Sequence, residues 1–449
     1  MGAERINIAV IGAGISGLSC AYQLARTGHD VTLLESGNYF GGHSHTVDVT
    51  REGMTYGVDT GFLVFNHKTY PNLVKLFDAL QVETVATDMS FSVKTSATGW
   101  FGSRQLEWAG ANLDTVFAQR RNLLNPAFLV MLRDIVRFNR AATELALDAT
   151  PGIDRISLGA YLQQHDYSEQ FRAWYLLPMA GCIWSCPTTQ MLEFPLSAFV
   201  RFCHNHGLLQ VNGRPQWHTV KGGSRHYVEK MLAAIPTKQC GVAVRSVTRH
   251  MIGGQRKVLV QSKTGTSLFD QVVMACHSDQ TLQLLADANA SERELLGAIR
   301  YQPNRAVLHS DASCLPQNRK AWSAWNYQSK GQKETHKETQ VCVHYLINQL
   351  QPLPFTSPII VSLNPIDEPM AHSVIDEFAY SHPVFDGPAI AAQGKLGDIQ
   401  GNDHIWFAGA WTGYGFHEDG LKSGLAVAHA LERKIEDKRE DHRRSRSVA

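Results

Sequence analysis

The sequence predicts an α/β fold in which a parallel-sheet domain is interleaved with an α+β domain made of a helical region and an antiparallel sheet. Three observations carry this expectation. Residues 5–17 run from an apolar strand into G-x-G-x-x-G at Gly12, Gly14 and Gly17, and helical spacing continues from Leu18 to Ala25. Val31–Leu34 reads as a second strand closed by an acid, Glu35. Near the far end, residues 404–409 form a short apolar strand that stops at Gly409, and a helix follows from about Leu421.

Each element has a physical reason. Gly12 permits the tight turn, Gly14 lets the backbone approach a pyrophosphate, and Gly17 lets the helix pack closely on the strand. Ile15 and Ser16 open that helix, whose unpaired N–H groups face the phosphates. Glu35, followed by Ser36, ends its strand where a carboxylate accepts from both ribose hydroxyls of an adenosine and repels a 2′-phosphate. These features define a Rossmann-like dinucleotide-binding domain. Five residues after Glu35 stands a second pair, Gly41-Gly42, which extends the close backbone approach along a longer ligand, as FAD requires.

This E-x5-G-G spacing resembles the amine oxidase and phytoene desaturase superfamily of flavoproteins, whose pattern usually continues with arginine. Here His43 stands in that place, so one imidazole hydrogen bond replaces an ion pair. His43 and His45 have no third ligand nearby, so no metal site is expected. The resemblance extends to Val58-Asp59-Thr60-Gly61, like the turn near the flavin ring, with Thr60 at the cofactor. It also implies that the strand ending at Gly409 and the helix start at Glu418 and Asp419 carry the ribityl chain and pyrimidine edge. Asp419 stands where glycine is more usual, and an acidic helix start is equally good capping. After the turn Lys221-Gly222-Gly223-Ser224, superfamily members bring a strand back to the adenine, which places Val242 there.

The expected organisation is interleaved. Residues 1–65, 206–290 and 396–433 form the FAD-binding domain, residues 66–205 and 291–395 the substrate domain, and residues 434–449 a charged, disordered tail. Four short strands, around 306–309, 322–327, 341–346 and 359–363, suggest the antiparallel sheet. At 449 residues the chain exceeds one ordinary core. Its net charge of +1 argues against nucleic acid as a partner. Eight scattered cysteines, an N-terminus that enters a strand at once, and no apolar run of about eighteen residues point to a cytoplasmic protein with reduced thiols. Cys182 and Cys186 lack dithiol C-x-x-C spacing.

Most of the chain, the tail apart, resembles a narrower subfamily of predicted FAD-binding amine-oxidase-like proteins. The resemblance rests on residues 41–46, 58–62, 322–327 and 413–420. Its bacterial members often accompany cyclopropane-fatty-acid-type methyltransferases, which implies a lipid substrate and a lipid methyltransferase partner. A single dinucleotide fingerprint leaves no second site for NAD(P)H, so the substrate itself should reduce the flavin. Trp184, Trp325, Tyr327, Trp411, Tyr414 and Phe416 are the expected aromatic walls, with Trp411, Tyr414 and the titratable His417 as the catalytic candidates. Three readings stay open: oxidation of an apolar, fatty-acyl substrate, oxidation of an amine, and a non-catalytic flavoprotein accessory to the methyltransferase. Arg133, Arg137 and Arg140, on a helix with an apolar face, point to membrane-surface contact or to a merely solvated face.

Overall fold

The computed structural model describes residues 5–99, 102–147, 156–185, 187–210, 213–329 and 341–447. Its first sheet has five parallel strands in the order Thr237–Gln239, Asp30–Leu34, Asn7–Ile11, Gln271–Met274 and Ile405–Phe407. A central parallel strand covered on both faces needs an unbroken apolar run, and Ile8, Ala9 and Val10 are fully buried. The first helix, Ile15–Arg26, leaves the crest of that sheet at Gly14. Against it lies the C-terminal helix His417–Ser447. At Gly424 a Cβ would overlap the Ser16 carbonyl and the Ser19 hydroxyl, so a side chain there would push the two helices apart.

The second sheet has seven strands in the order Val374–Val384, Arg300–His309, Ile360–Leu363, Cys342–Leu346, Trp325–Gln328, Phe91–Gly99 and Gly102–Ala109. It contains the four expected strands but is mixed rather than antiparallel, because Trp325–Gln328 pairs with Phe91–Gly99 in parallel. A strand arriving from a distant segment is not held antiparallel by a hairpin turn. Helices Pro126–Leu147, Leu158–Gln164, Leu177–Trp184 and Leu196–Asn205 enclose a separate aromatic core that includes Phe138, Phe171 and Phe199. Cys186 lies outside the described residues.

The charged tail is a further correction. The last helix continues to Ser447 where charge density alone predicted disorder. Ile435 still packs on the main core, and the Lys434 ammonium lies over the Trp406 ring. Acidic and basic residues alternate beyond it at spacings that suit a helix.

A buried polar chain pins the second sheet. The Asp311 N–H donates to His309 Nδ1 at 3.1 Å, which puts the His309 proton on Nε2, facing Ser362 Oγ at 2.6 Å. Ser362 in turn donates to His344 Nδ1 at 2.6 Å, and His344 Nε2 donates to Gln328 Oε1 at 2.7 Å. Burial pushes His309 down to about 4 and His344 down to about 3, so both are neutral and each ring nitrogen is matched. Cys314 joins them in a cluster with metal-ligand spacing. Lys94, whose ammonium donates to the Cys314 and Leu315 carbonyls at 3.2 and 3.1 Å, opposes a cation there.

Candidate functional site

A cavity of about 420 Å³ extends from the glycine-rich turn to the second sheet and the helical layer. Gly12, Gly14, Ile15 and Ser16 line one end, with Glu35, Ser36, Gly41, Gly42 and His43 beside them. The turn is built for close approach. Gly12 has φ +98°, and a Cβ on it would lie 2.7 Å from the Ala275 carbonyl oxygen. A Cβ on Gly42, with φ +59°, would lie 3.0 Å from Gly14 Cα. Gly14 itself has nothing within 4 Å of where its Cβ would be, so open space begins there. Gly17 does not line the cavity. It packs against the Gly12 carbonyl, the helix-to-strand role expected of it.

Glu35 sits at this end with both oxygens engaged by the backbone. Oε2 accepts from the Ala13 N–H at 2.8 Å and Oε1 from the Gly37 N–H at 2.7 Å. Ser36 Oγ also donates to Oε1 at 3.3 Å, so Oε2 is the oxygen that keeps a further acceptor position. Glu35→Ala is therefore expected to weaken retention of an adenine dinucleotide by about 1–3 kcal/mol and to loosen the glycine turn. Flavin release on dilution, followed by fluorescence, measures this effect, and unchanged retention would reduce Glu35 to a strand-end brace.

The middle of the cavity is ringed by histidines and tyrosines. His43 stacks on Tyr380 with centroids 4.8 Å apart and lies 5.2 Å from the His382 ring. Its Nε2 is buried with no hydrogen-bond partner. Burial, reinforced by His382, His277 and His417, holds His43 well below the usual histidine range. Burial also brings His382 and His206 down to about 4. Among the described lining residues there is no lysine or arginine, and Glu35 is the one carboxylate. Negative charge would meet backbone N–H groups, the helix N-terminus and imidazoles here rather than a cation. Thr60 also lines the wall and its hydroxyl lies 2.8 Å from that of Tyr380. Asp59 is buried behind it, accepting from Ser224 and Thr46, and burial pushes its carboxyl up to about 6.

Several expected residues take other places. Trp411 is an edge of the wall, but its ring belongs to the core beneath the first sheet, and its indole donates to the Cys276 carbonyl at 3.2 Å. Glu418 does not reach the cavity. It turns to the start of helix Pro71–Leu80 and accepts from the Asn72 N–H at 2.8 Å and the Leu73 N–H at 3.0 Å, an acid at a helix N-terminus. Asp419 accepts from the Tyr414 and Phe416 N–H groups at 3.0 and 3.1 Å and so shapes the loop. Val242 lies off the wall, its N–H donating to the Glu35 carbonyl at 2.8 Å. Tyr327 is core.

His417, Tyr414, Phe416, Trp184 and Trp325 do line the cavity, as does Gly409. His417 stacks on Phe62 at 3.8 Å, and its Nε2 lies 2.9 Å from the Tyr227 hydroxyl, which also bonds Ser44. Burial depresses His417 to about 3, so it is a neutral wall residue and a weak base. Tyr380 and His382 were missed from the sequence. The signal was there as the alternation Phe378, Tyr380, His382, three rings on one face of a strand.

The fold and the cleft together define a dinucleotide-binding architecture whose fold is similar to that of solved amine oxidases. A family model described as an NAD(P)-binding Rossmann-like domain matches residues 10–80. A Mycobacterium tuberculosis protein named as a flavin-containing monoamine oxidase is 24% identical over 282 residues, covering 60% of this chain. The chain spans just over half the length of that curated relative, 56%. Among solved structures, cyclohexylamine oxidase from Brevibacterium oxydans has a TM-score of 0.66 at 15% identity, covering 95% of this chain and 100% of its own. A fatty acid isomerase from P. acnes has a TM-score of 0.64 at 15% identity, with 95% and 98% covered.

Proposed function

We propose that this protein is an FAD-dependent oxidoreductase that dehydrogenates a neutral, largely apolar substrate of the fatty-acyl or lipid class. The cleft fits the cofactor on the chain's own features: open space above Gly14, a glycine pair at Gly41-Gly42, and a buried His43 Nε2 without a partner. Glu35 would hold the ribose, residues 12–16 with Gly42 and His43 the pyrophosphate, and the wall of Thr60, Gly409 and His417 the flavin end. When bound, FAD accepts a hydride from a substrate carbon.

One observation carries the substrate class: beyond the histidine ring the wall is mainly aromatic and aliphatic, with no carboxylate among the described residues to select an ammonium ion. Trp184 and Trp325 add two buried indole N–H groups that have no partner. The aromatic walls exclude water and position the chain, while the neutral His417, held by Tyr227, orients the wall beside the reacting end.

The second reading, an amine oxidase, draws on the monoamine and cyclohexylamine oxidases above, and a neutral hydrophobic amine would also suit an aromatic pocket. Anaerobic titration of the yellow protein separates them. Acyl lipids are expected to bleach the flavin absorbance, and His417→Ala, which removes a positioning side chain, to slow that bleaching about tenfold while FAD is still held at its pyrophosphate end. Bleaching by amines with none by lipids establishes the amine reading instead.

A further inference from the structure

The helix Pro126–Leu147 has two opposite faces. Phe128, Met131, Phe138 and Ala142 are buried, and part of this face packs on the helix Leu196–Asn205, whose Phe202 lines the cavity. The outward stripe is Leu129, Arg133, Val136, Arg137, Arg140 and Leu147, which follows helical spacing, with one acid, Glu144, among them. Val136 is 65% exposed and Leu147 70%. Just before the helix, the turn Arg120–Leu124 projects Leu123 and Leu124, the latter 88% exposed, beside Arg120 and Arg121. From 113 to 147 the chain carries five arginines and three acids. Of the acids, Asp134 is fully buried and holds Arg133 and Arg137 from beneath, leaving Asp114 and Glu144 on the surface.

We infer that this face docks peripherally on an anionic lipid surface, with Leu123, Leu124, Leu129 and Val136 entering the headgroup boundary and the arginines meeting phosphates. Arginine suits this arrangement because its stem lies along apolar surface while its guanidinium stays polar. In a protein interface the apolar residues gather in a core inside a polar rim. Here Leu123, Leu124, Leu129 and Val136 each have an arginine three or four positions away, and only Leu147 at the far end does not. No described helix is long and apolar enough to cross a membrane, so the contact is superficial. It would place the outer side of the helical layer on the lipid, with the cavity wall on the inner side. The inference does not depend on the substrate proposed above.

Vesicle co-sedimentation of the full chain tests it. Vesicles of phosphatidylcholine with about 30% phosphatidylglycerol should pellet the protein, pure phosphatidylcholine should not, and about 0.5 M NaCl should release it. Leu123→Ser with Leu124→Ser, and separately Arg121→Gln with Arg140→Gln, should each cut the bound fraction about fivefold or more at an unchanged melting temperature. These side chains are exposed, so folding is a control and not a confounder. Absence of pelleting with anionic vesicles, equal pelleting on neutral ones, or wild-type binding by both variants overturns the inference.

Discussion

Gly14→Leu is expected to give a folded protein that purifies colourless. Gly14 has extended backbone angles, φ −66° and ψ 176°, which any residue adopts. Nothing lies within 4 Å of its Cβ position, so a side chain starts into open space without meeting protein there. It instead fills the space through which a pyrophosphate must pass over the helix N-terminus. The comparison with Gly12 sharpens the test. At Gly12 the left-handed φ and the 2.7 Å approach to the Ala275 carbonyl mean that any side chain damages the fold as well. Absorbance near the flavin maximum should vanish for Gly14→Leu while its circular dichroism matches that of wild-type protein stripped of cofactor. Full flavin content in Gly14→Leu would remove the pyrophosphate from this turn.

Stability should fall steeply as pH drops below about 6.5, the ordinary histidine value. His309 and His344 are buried and neutral, with folded values near 4 and 3. A depressed folded value contributes stability that is present above pH 6.5 and lost as pH falls towards those values, because the unfolded chain binds protons that the folded one refuses. Each imidazole contributes a slope of up to about 1.4 kcal/mol per pH unit in that window. Asp59 acts in the opposite sense. Its carboxyl is raised to about 6, so its contribution is present at low pH and lost as pH rises through that value. Two imidazoles against one carboxyl give these three groups a net loss of about 2 kcal/mol between pH 6.5 and pH 5, and His206, His382 and His417, held down by burial in the same way, add to it in the same sense. Melting temperature against pH reads this directly. The double variant His309→Gln with His344→Gln should be less stable at pH 7 but have a flatter profile. An equal slope in that variant would assign the acid sensitivity to other groups.

The glycine turn, the acid at Glu35 and the Gly41-Gly42 pair were legible because their roles are set by neighbours a few residues away: a turn, a helix start, a strand end. The close approach at Gly424 to Ser16 and Ser19 depends on a helix about 400 residues away in the chain, which no local signal encodes. Glu418 shows where local reasoning fails. Its position in the loop motif matched a cofactor pattern, yet its carboxylate caps a helix 346 residues away in sequence, and no spacing rule encodes that partner. Trp411 stands at the edge of the cavity wall with its ring in the core, because an aromatic in a motif can turn to the core or to the cavity and only packing decides which.

The sequence by itself thus determined where a dinucleotide could lie, because backbone conformation and helix-end N–H groups are local properties. The tertiary structure alone decided the chemistry around it. It gathered His43, His277 and His382 from three distant segments and left them neutral by removing water. It also turned the acids of the last motif away and left the wall without a lysine or arginine among the described residues. Charge state and exposure depend on everything that surrounds a group in space, and that surrounding exists only once the chain has folded.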